Sequence, residues 1–487
     1  MFLQGAVFRA EKTGRAILHH RERGTPPATG RYYKRGRATT GRMIRPTLPL
    51  VVFPTMVGVM NRRGFLSLAA PATGFFPQLR SPEAWLKVLE VHQSVSGEPE
   101  TIARDESFWE PVRRAFEVDR GLINLNNGGV SPSIAGAHRL LQHYLDTSNL
   151  APSYYMWDVL EPGREEIRRG LARLFGCDPE ELAITRNASE ALITCQYGFD
   201  LEPGDEVLTT NQDYPRMLDA WKQLVARRGV VLRQISLPVP AEDEEEVVAR
   251  FELAITSQTR IILLCHMINL TGQILPVAKV VRMARRRSVP VIVDGAHSFA
   301  QLDFRRDHLD CDYFGASLHK WLFAPVGAGM LYVRRDRISS LWSLMPHAEG
   351  REGDVRKFEE VGTHPAANAL AAGPAILLQE QLGAARKEAR LRFLKDYWAR
   401  PLAGERRVIL HTSLDPRFSC GIATFQVDGI NSTDLARFLW KKHRILTSTV
   451  HHPEFEGIRV SPSLYTTLAE LDRFCEAVRE AIRGGVD

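Results

Sequence analysis

Between Leu182 and Val333 the chain repeats one pattern, a short apolar run followed by a longer polar or amphipathic stretch. The runs predict strands at 182–185, 206–210, 230–237, 260–267, 289–294, 312–316 and 329–333. The stretches predict helices at 188–198, 214–228, about 241–255 and 276–287. Arg260 to Met267 is apolar almost throughout, as a strand must be when both of its faces are covered. Such alternation predicts an α/β fold with a mixed, mostly parallel sheet wrapped by helices. Sheets of this kind bind ligands beyond the carboxyl ends of their strands. A linking helix at about 364–400 leads to a smaller α/β C-terminal domain, with strands near 407–412 and 420–427 and a last helix near 467–484. The domains read as a large one over 119–365 and a small one, with its linking helix, over 366–487; a helical segment, 77–118, precedes them.

The polar residues that follow those runs carry the chemistry. Asp294 closes the run Val291-Ile292-Val293, and Lys320 stands 26 residues on, in Ser317-Leu318-His319-Lys320-Trp321. An acid ending one strand and a lysine just past the next are what a pyridoxal phosphate site needs. The lysine forms an imine with the aldehyde, and the acid keeps the pyridine nitrogen protonated, so that the ring can draw electrons from a substrate carbon. Ala188 and Ser189 open a helix directly after a strand, where free backbone N–H groups and the helix dipole attract an anion such as a phosphate. Tyr214 follows the next strand and is a candidate to lay its ring on the pyridine face. Asn269 and His297 are candidates for hydrogen bonds to the phenolic oxygen, and Ser317 and His319 for the phosphate.

The pI near 9.0 invites a nucleic-acid reading, but the charge is concentrated in a tail. Residues 1–63 hold 13 Lys or Arg against Glu11 and Glu22, which leaves the remainder at −5 while the whole chain is at +6. No basic groove is implied, and nucleic acid is not an expected partner. No apolar run is long enough for a membrane span. Six scattered cysteines form no CxxC pair, so neither a disulfide framework nor a metal site is expected. Residues 1–59 read as a basic extension, explicable by a start codon chosen too early. Residues 60–76, with Arg62-Arg63-Gly64-Phe65-Leu66 and Ala70-Pro71-Ala72, resemble a twin-arginine export signal. That predicts a periplasmic or exported protein; without the signal the expectation is cytoplasmic, or organellar if the tail is a transit segment.

Together, Asp294-Gly295-Ala296-His297, Ser317-Leu318-His319-Lys320 and Phe358-Glu359-Glu360-Val361-Gly362-Thr363 resemble the class V aminotransferase family of fold-type-I pyridoxal phosphate enzymes, over roughly residues 120–475. The resemblance implies that Thr363 reaches the phosphate of a neighbouring subunit, hence a homodimer with shared active sites. It implies that Arg459 holds the α-carboxylate of a small amino-acid substrate, a task suited to a planar fork of donors. It also implies that Asn127 and Gly129, in Asn126-Asn127-Gly128-Gly129, line the pocket mouth and meet the substrate.

Desulfurases in this family carry a nucleophilic cysteine shortly before the arginine; here His451-His452-Pro453-Glu454-Phe455-Glu456 holds none. Asp213-Tyr214 with Trp221, and the Asn-Asn-Gly-Gly segment, look more like the isopenicillin N epimerase branch. The expected activity is epimerisation or racemisation at the α-carbon, with Lys320, Asp294 and Tyr214 as catalytic residues. Transamination and carbon–sulfur lysis are the alternatives. A non-catalytic pyridoxal-phosphate sensor fits poorly, because no helix-turn-helix is evident. A dinucleotide oxidoreductase fits no better, since Gly327-Ala328-Gly329 precedes a strand instead of following one.

Overall fold

The computed structural model describes residues 97–486; the twin-arginine segment and the basic extension lie outside the described residues. Strand β1 (Ile123–Asn124) comes first. The seven expected strands follow as β2 (Leu182–Thr185), β3 (Glu206–Thr210), β4 (Val231–Ile235), β5 (Thr259–Cys265), β6 (Val291–Asp294), β7 (Tyr313–Ser317) and β8 (Gly329–Val333). They form one sheet in the order β2-β8-β7-β6-β5-β3-β4, in which only β8 runs against its neighbours. Side chains alternate between two apolar cores. Ile262, Leu264, Val291, Val293 and Phe314 enter one, and Ile261, Leu263, Ile292 and Tyr313 enter the other. Both faces are therefore closed to water, and this is why those runs lack polar alternation.

Helices α1 (Ala188–Gly198), α2 (Pro215–Arg228), α3 (Glu244–Ala254) and α4 (Val277–Arg286) connect the strands. Asn187 caps α1 by accepting from the Glu190 N–H at 2.9 Å, and Asp243 caps α3 through the N–H groups of Glu245 and Glu246. The linking helix expected over 364–400 is instead three pieces, Ala367–Leu370, Gly373–Leu382 and α5 (Ala384–Ala403). The break before α5 falls at Gly383, whose φ of 78° a right-handed helix cannot contain.

The small lobe is a four-stranded antiparallel sheet, completed by β9 (Val408–Leu410), β10 (Ala423–Val427), β12 (Ser448–His452) and β13 (Phe455–Val460), in the order β12-β13-β10-β9. Helices α6 (Ser432–His443) and α7 (Leu468–Gly484) cover it. Between α6 and β12, β11 (Ile445–Leu446) pairs in parallel with β1. Ile123 and Leu125 are buried in the small-lobe core, so this stretch, expected within a large domain beginning at 119, packs with the C-terminal lobe. Its apolar side chains find their partners some 320 residues away in sequence, beyond the reach of a local reading.

Candidate active site

Asp294 is the last residue of β6 and is buried. One carboxylate oxygen accepts from the Ala296 N–H at 2.9 Å; among the described residues the other accepts only from the Cys265 thiol at 4.0 Å. Burial raises its pKa to about 6, against the pull of Lys320 and the Ala296 bond. Lys320 lies beyond β7, with Nζ 3.2 Å from Nε2 of His297. Burial lowers its pKa to about 8; Asp294 opposes this shift and Arg459 adds to it. His297 is buried, and burial together with the charges of Lys320 and Arg459 holds it well below the ordinary imidazole range. It is a neutral ring.

At the opening of α1 the Ala188 N–H is already taken, donating to Oγ of Ser317 at 2.9 Å. Ser317 therefore ties β7 to the helix N-terminus and keeps its own hydroxyl hydrogen for an anion. Ser189 holds the second helical position, and its N–H lacks an intrahelical acceptor. Close approach here depends on Gly329, where a Cβ would stand 2.5 Å from the backbone of Asn187. Tyr214 precedes α2 and is 38% exposed, as a ring must be to face an open cleft. Burial keeps His319 neutral, at a pKa of about 4.

Arg459 comes from β13 of the small lobe and is also buried. Nη1 donates to the Asn269 carbonyl at 2.9 Å and Nη2 to Oδ1 of Asn126 at 3.0 Å. Among the described residues no carboxylate pairs with it, and burial lowers its pKa to about 10. The small lobe grips the loop carrying Asn269 at two further points. Oγ1 of Thr424 donates to the Leu270 carbonyl at 2.6 Å, and Oγ1 of Thr412 to that of Thr271 at 2.5 Å.

One expected contact, Asn127, is placed differently. Asn127 is fully buried, and its bonding capacity is spent within the protein. Nδ2 donates to the carbonyls of Asn124 and Ser461, and Oδ1 accepts from the Tyr465 hydroxyl at 2.6 Å. It fastens the segment and is not free to meet a substrate; its neighbour Asn126 is the residue that reaches Arg459. Gly129 lies in a turn, its N–H on the Asn126 carbonyl. Thr363 is exposed, after Gly362 with φ 73°.

Asp213 and Trp321, to which the sequence alone assigns no catalytic or binding role, both bond to residues of the site. Asp213 is buried and accepts from both threonine hydroxyls of Thr209 and Thr210 and from the N–H groups of Thr210 and Cys265. The indole of Trp321 donates to Nδ1 of His297 at 3.3 Å. The signal for both was adjacency to a chemically chosen residue, since each stands next to one.

The fold, with an acid at a strand end and a lysine beyond the next, defines a fold-type-I pyridoxal phosphate enzyme. The model of the class V aminotransferase family matches residues 141–474, and the chain belongs to that family. It is 30% identical over 393 residues to an isopenicillin N epimerase of Streptomyces clavuligerus, spanning 77% of this chain and 98% of that protein. A probable cysteine desulfurase of Synechocystis is 25% identical over 391 residues, covering 74% of this chain and 91% of that one. Among solved structures, a C-DES mutant with glycine covalently linked to its PLP cofactor superposes with a TM-score of 0.68 at 23% identity, covering 76% of this chain and 98% of that one. The apo cysteine desulfurase of Thermococcus onnurineus gives the same TM-score at 21% identity, covering 77% and 98%.

The residues present fit pyridoxal phosphate. Buried polar atoms without a protein partner among the described residues include Oδ1 of Asn269, Nδ1 of His319 and Nε of Arg459, and Oδ2 of Asp294 accepts only from a thiol at 4.0 Å.

Proposed function

We propose that this enzyme inverts the α-carbon of an amino acid, as an epimerase or racemase. Pyridoxal phosphate, when bound, supplies an aldehyde carbon and a ring that takes up charge from the substrate's α-carbon. Lys320 would be the amine for that aldehyde and the base for the α-proton. A group with a pKa near 8 is well matched to taking and returning a proton near neutrality. Asp294 would offer an anionic oxygen to the ring nitrogen, and Asn269 and His297 would hold the phenolic side. Ser189, Ser317 and His319 would hold the phosphate, and Tyr214 would face the ring.

The observation that carries the amino-acid reading is Arg459, a buried guanidinium without a carboxylate partner among the described residues. A cation left so in the interior is costly unless a ligand brings the anion, and an α-carboxylate is the anion of matching shape. Asn126 orients the fork from the N-terminal side. The named relative that favours inversion is the Streptomyces epimerase, aligned over 98% of its length. The hairpin before Arg459 holds no cysteine, which weighs against desulfurase chemistry. Transamination and β-lysis use the same first proton transfer and are the competing outcomes.

Exposed Thr363 suits the second half of the reading, a homodimer in which this segment completes the partner's phosphate site. The exposed side chains of Tyr154, Trp157 and Val326 are apolar surface that such a partner would cover.

Purified protein should be yellow, and Lys320→Ala should lose the borohydride-trapped adduct; a colourless protein that traps nothing would refute the cofactor role of Lys320. Amino acids incubated with the enzyme in deuterated water should acquire α-deuterium with inversion. Keto acid formed only with an acceptor, or released thiol, would replace the epimerase by one of the alternatives.

A further inference from the structure

Lys320 is followed directly by a fully buried tryptophan. The indole N–H of Trp321 donates to Nδ1 of His297 at 3.3 Å, and Nε2 of the same ring lies 3.2 Å from Nζ of Lys320. An indole can only donate, so Nδ1 must present its lone pair. Because the ring is neutral, its one hydrogen sits on Nε2 and points at Lys320. An ammonium there would oppose hydrogen to hydrogen; a free amine accepts.

We propose that Trp321 is a positioning residue: its indole N–H holds His297 in the Nε2–H form, and through His297 it favours the unprotonated form of Lys320. To accept from an ammonium, His297 would have to move its hydrogen to Nδ1, where it would face the indole N–H. Trp321 opposes that exchange.

The tryptophan is itself fixed from behind. Lys387 of α5, a buried amine, donates to the Trp321 carbonyl and to Oε1 of Gln379 at 2.7 Å. Its Nζ lies 4.3 Å from the ring centroid of Phe323, whose φ of 63° is a conformation that bulky residues rarely adopt. Gln301 steadies the other end, donating to the His297 carbonyl at 2.6 Å. Several charged or titratable groups face the pair: Asp294 from β6, Cys265 from β5, Arg459 from β13, His319 beside Lys320, and Asp213 behind Cys265. Asp294 favours an ammonium and Arg459 opposes one, but among the described residues only Trp321 bonds to Nδ1 of His297.

The inference rests on Lys320 being the amine that takes the cofactor aldehyde. It is tested on the full chain stripped of cofactor, by the rate of pyridoxal phosphate capture against pH, with Lys320→Ala as background. In capture the amine nitrogen adds to the aldehyde carbon and one water leaves, so the rate follows the unprotonated fraction. Trp321→Phe keeps the bulk and removes the N–H. Its capture midpoint should rise by about one pH unit, about a tenfold slower reaction at neutral pH. In a His297→Ala background the same substitution should shift nothing further. Nitrogen-15 NMR of the parent chain should place the His297 hydrogen on Nε2. An unchanged midpoint, a shift that survives without His297, or a hydrogen on Nδ1 in the parent would each overturn the proposal. A parent chain that captures no more than Lys320→Ala would instead show that the Lys320 reading itself had failed, and this inference with it.

Discussion

Arg168, on the helix Arg164–Phe175, is buried and surrounded by opposite charge. It bonds both oxygens of Glu359, reaches Glu165 at 3.1 Å and donates to the Leu182 carbonyl at 2.6 Å. Glu359 also accepts from Arg164 at 2.8 Å and from the Ile184 N–H at 2.7 Å. Arg459 is also buried, yet among the described residues it bonds only a carbonyl and an amide oxygen. One guanidinium has its counter-charge built in and fastens β2 to the body. The other lacks one, and its field remains available to something that comes from outside. Burial alone does not separate structural from functional charge; the identity of the partners does.

Removing charge from each region should therefore fail in different ways. Glu359→Leu should cost about 3–5 kcal/mol in denaturant unfolding, because two buried guanidinium groups lose their carboxylate. What remains folded should still capture cofactor. Arg459→Met should change unfolding by about 1 kcal/mol or less, yet lower kcat/KM for an amino acid at least about a hundredfold, as loss of two charge-assisted bonds requires. A large stability loss with intact turnover would abolish the contrast.

Titration sharpens the comparison, since Glu165 and Asp294 are displaced oppositely. The Arg356 and Arg168 bonds pull Glu165 from 4.5 to about 2, so its contribution is present above 4.5 and lost as the pH falls through about 2. Burial raises Asp294 from 3.8 to about 6, so the stability associated with its neutral form is full below 3.8 and lost as the pH rises through about 6. In cofactor-free protein, Asp294→Asn should flatten the stability profile between pH 4 and 7 by at most about 3 kcal/mol. A profile that stays unchanged would mean that Asp294 is not desolvated as described. The smallest effect expected is that of Asn126→Ala, which should raise KM several-fold with kcat nearly constant, because the arginine keeps its charge and loses only its aim. An effect on kcat alone would remove Asn126 from the carboxylate subsite.

The central strands β5 and β6 were legible because burial on both faces forces apolar runs, and Asp294 and Lys320 were legible because one ends such a run and the other follows the next strand. The grip of Asn127 was not: its partners Ser461 and Tyr465 lie more than 330 residues away, and in sequence it is indistinguishable from Asn126. Nor was the tie between Ser317 and Ala188, since a serine near a presumed phosphate reads as a ligand until the backbone N–H it caps is seen. The single linking helix failed at Gly383, where a left-handed φ overrides helical periodicity on both sides.

The pairing of β1 with β11 has a consequence for the order of assembly. The Asn126 N–H donates to Oδ1 of Asn124 at 3.0 Å, the Asn127 N–H donates to the Ser461 carbonyl at 3.2 Å, and Arg459 lies just before that partner. On a ribosome the first strand of this unit must wait, unpaired, for more than 300 residues to be made. The large sheet can close in that interval, but the mouth of the cleft cannot exist until the chain is nearly finished, so a product truncated in the small lobe would hold Asp294 and Lys320 and still have no place to seat a carboxylate.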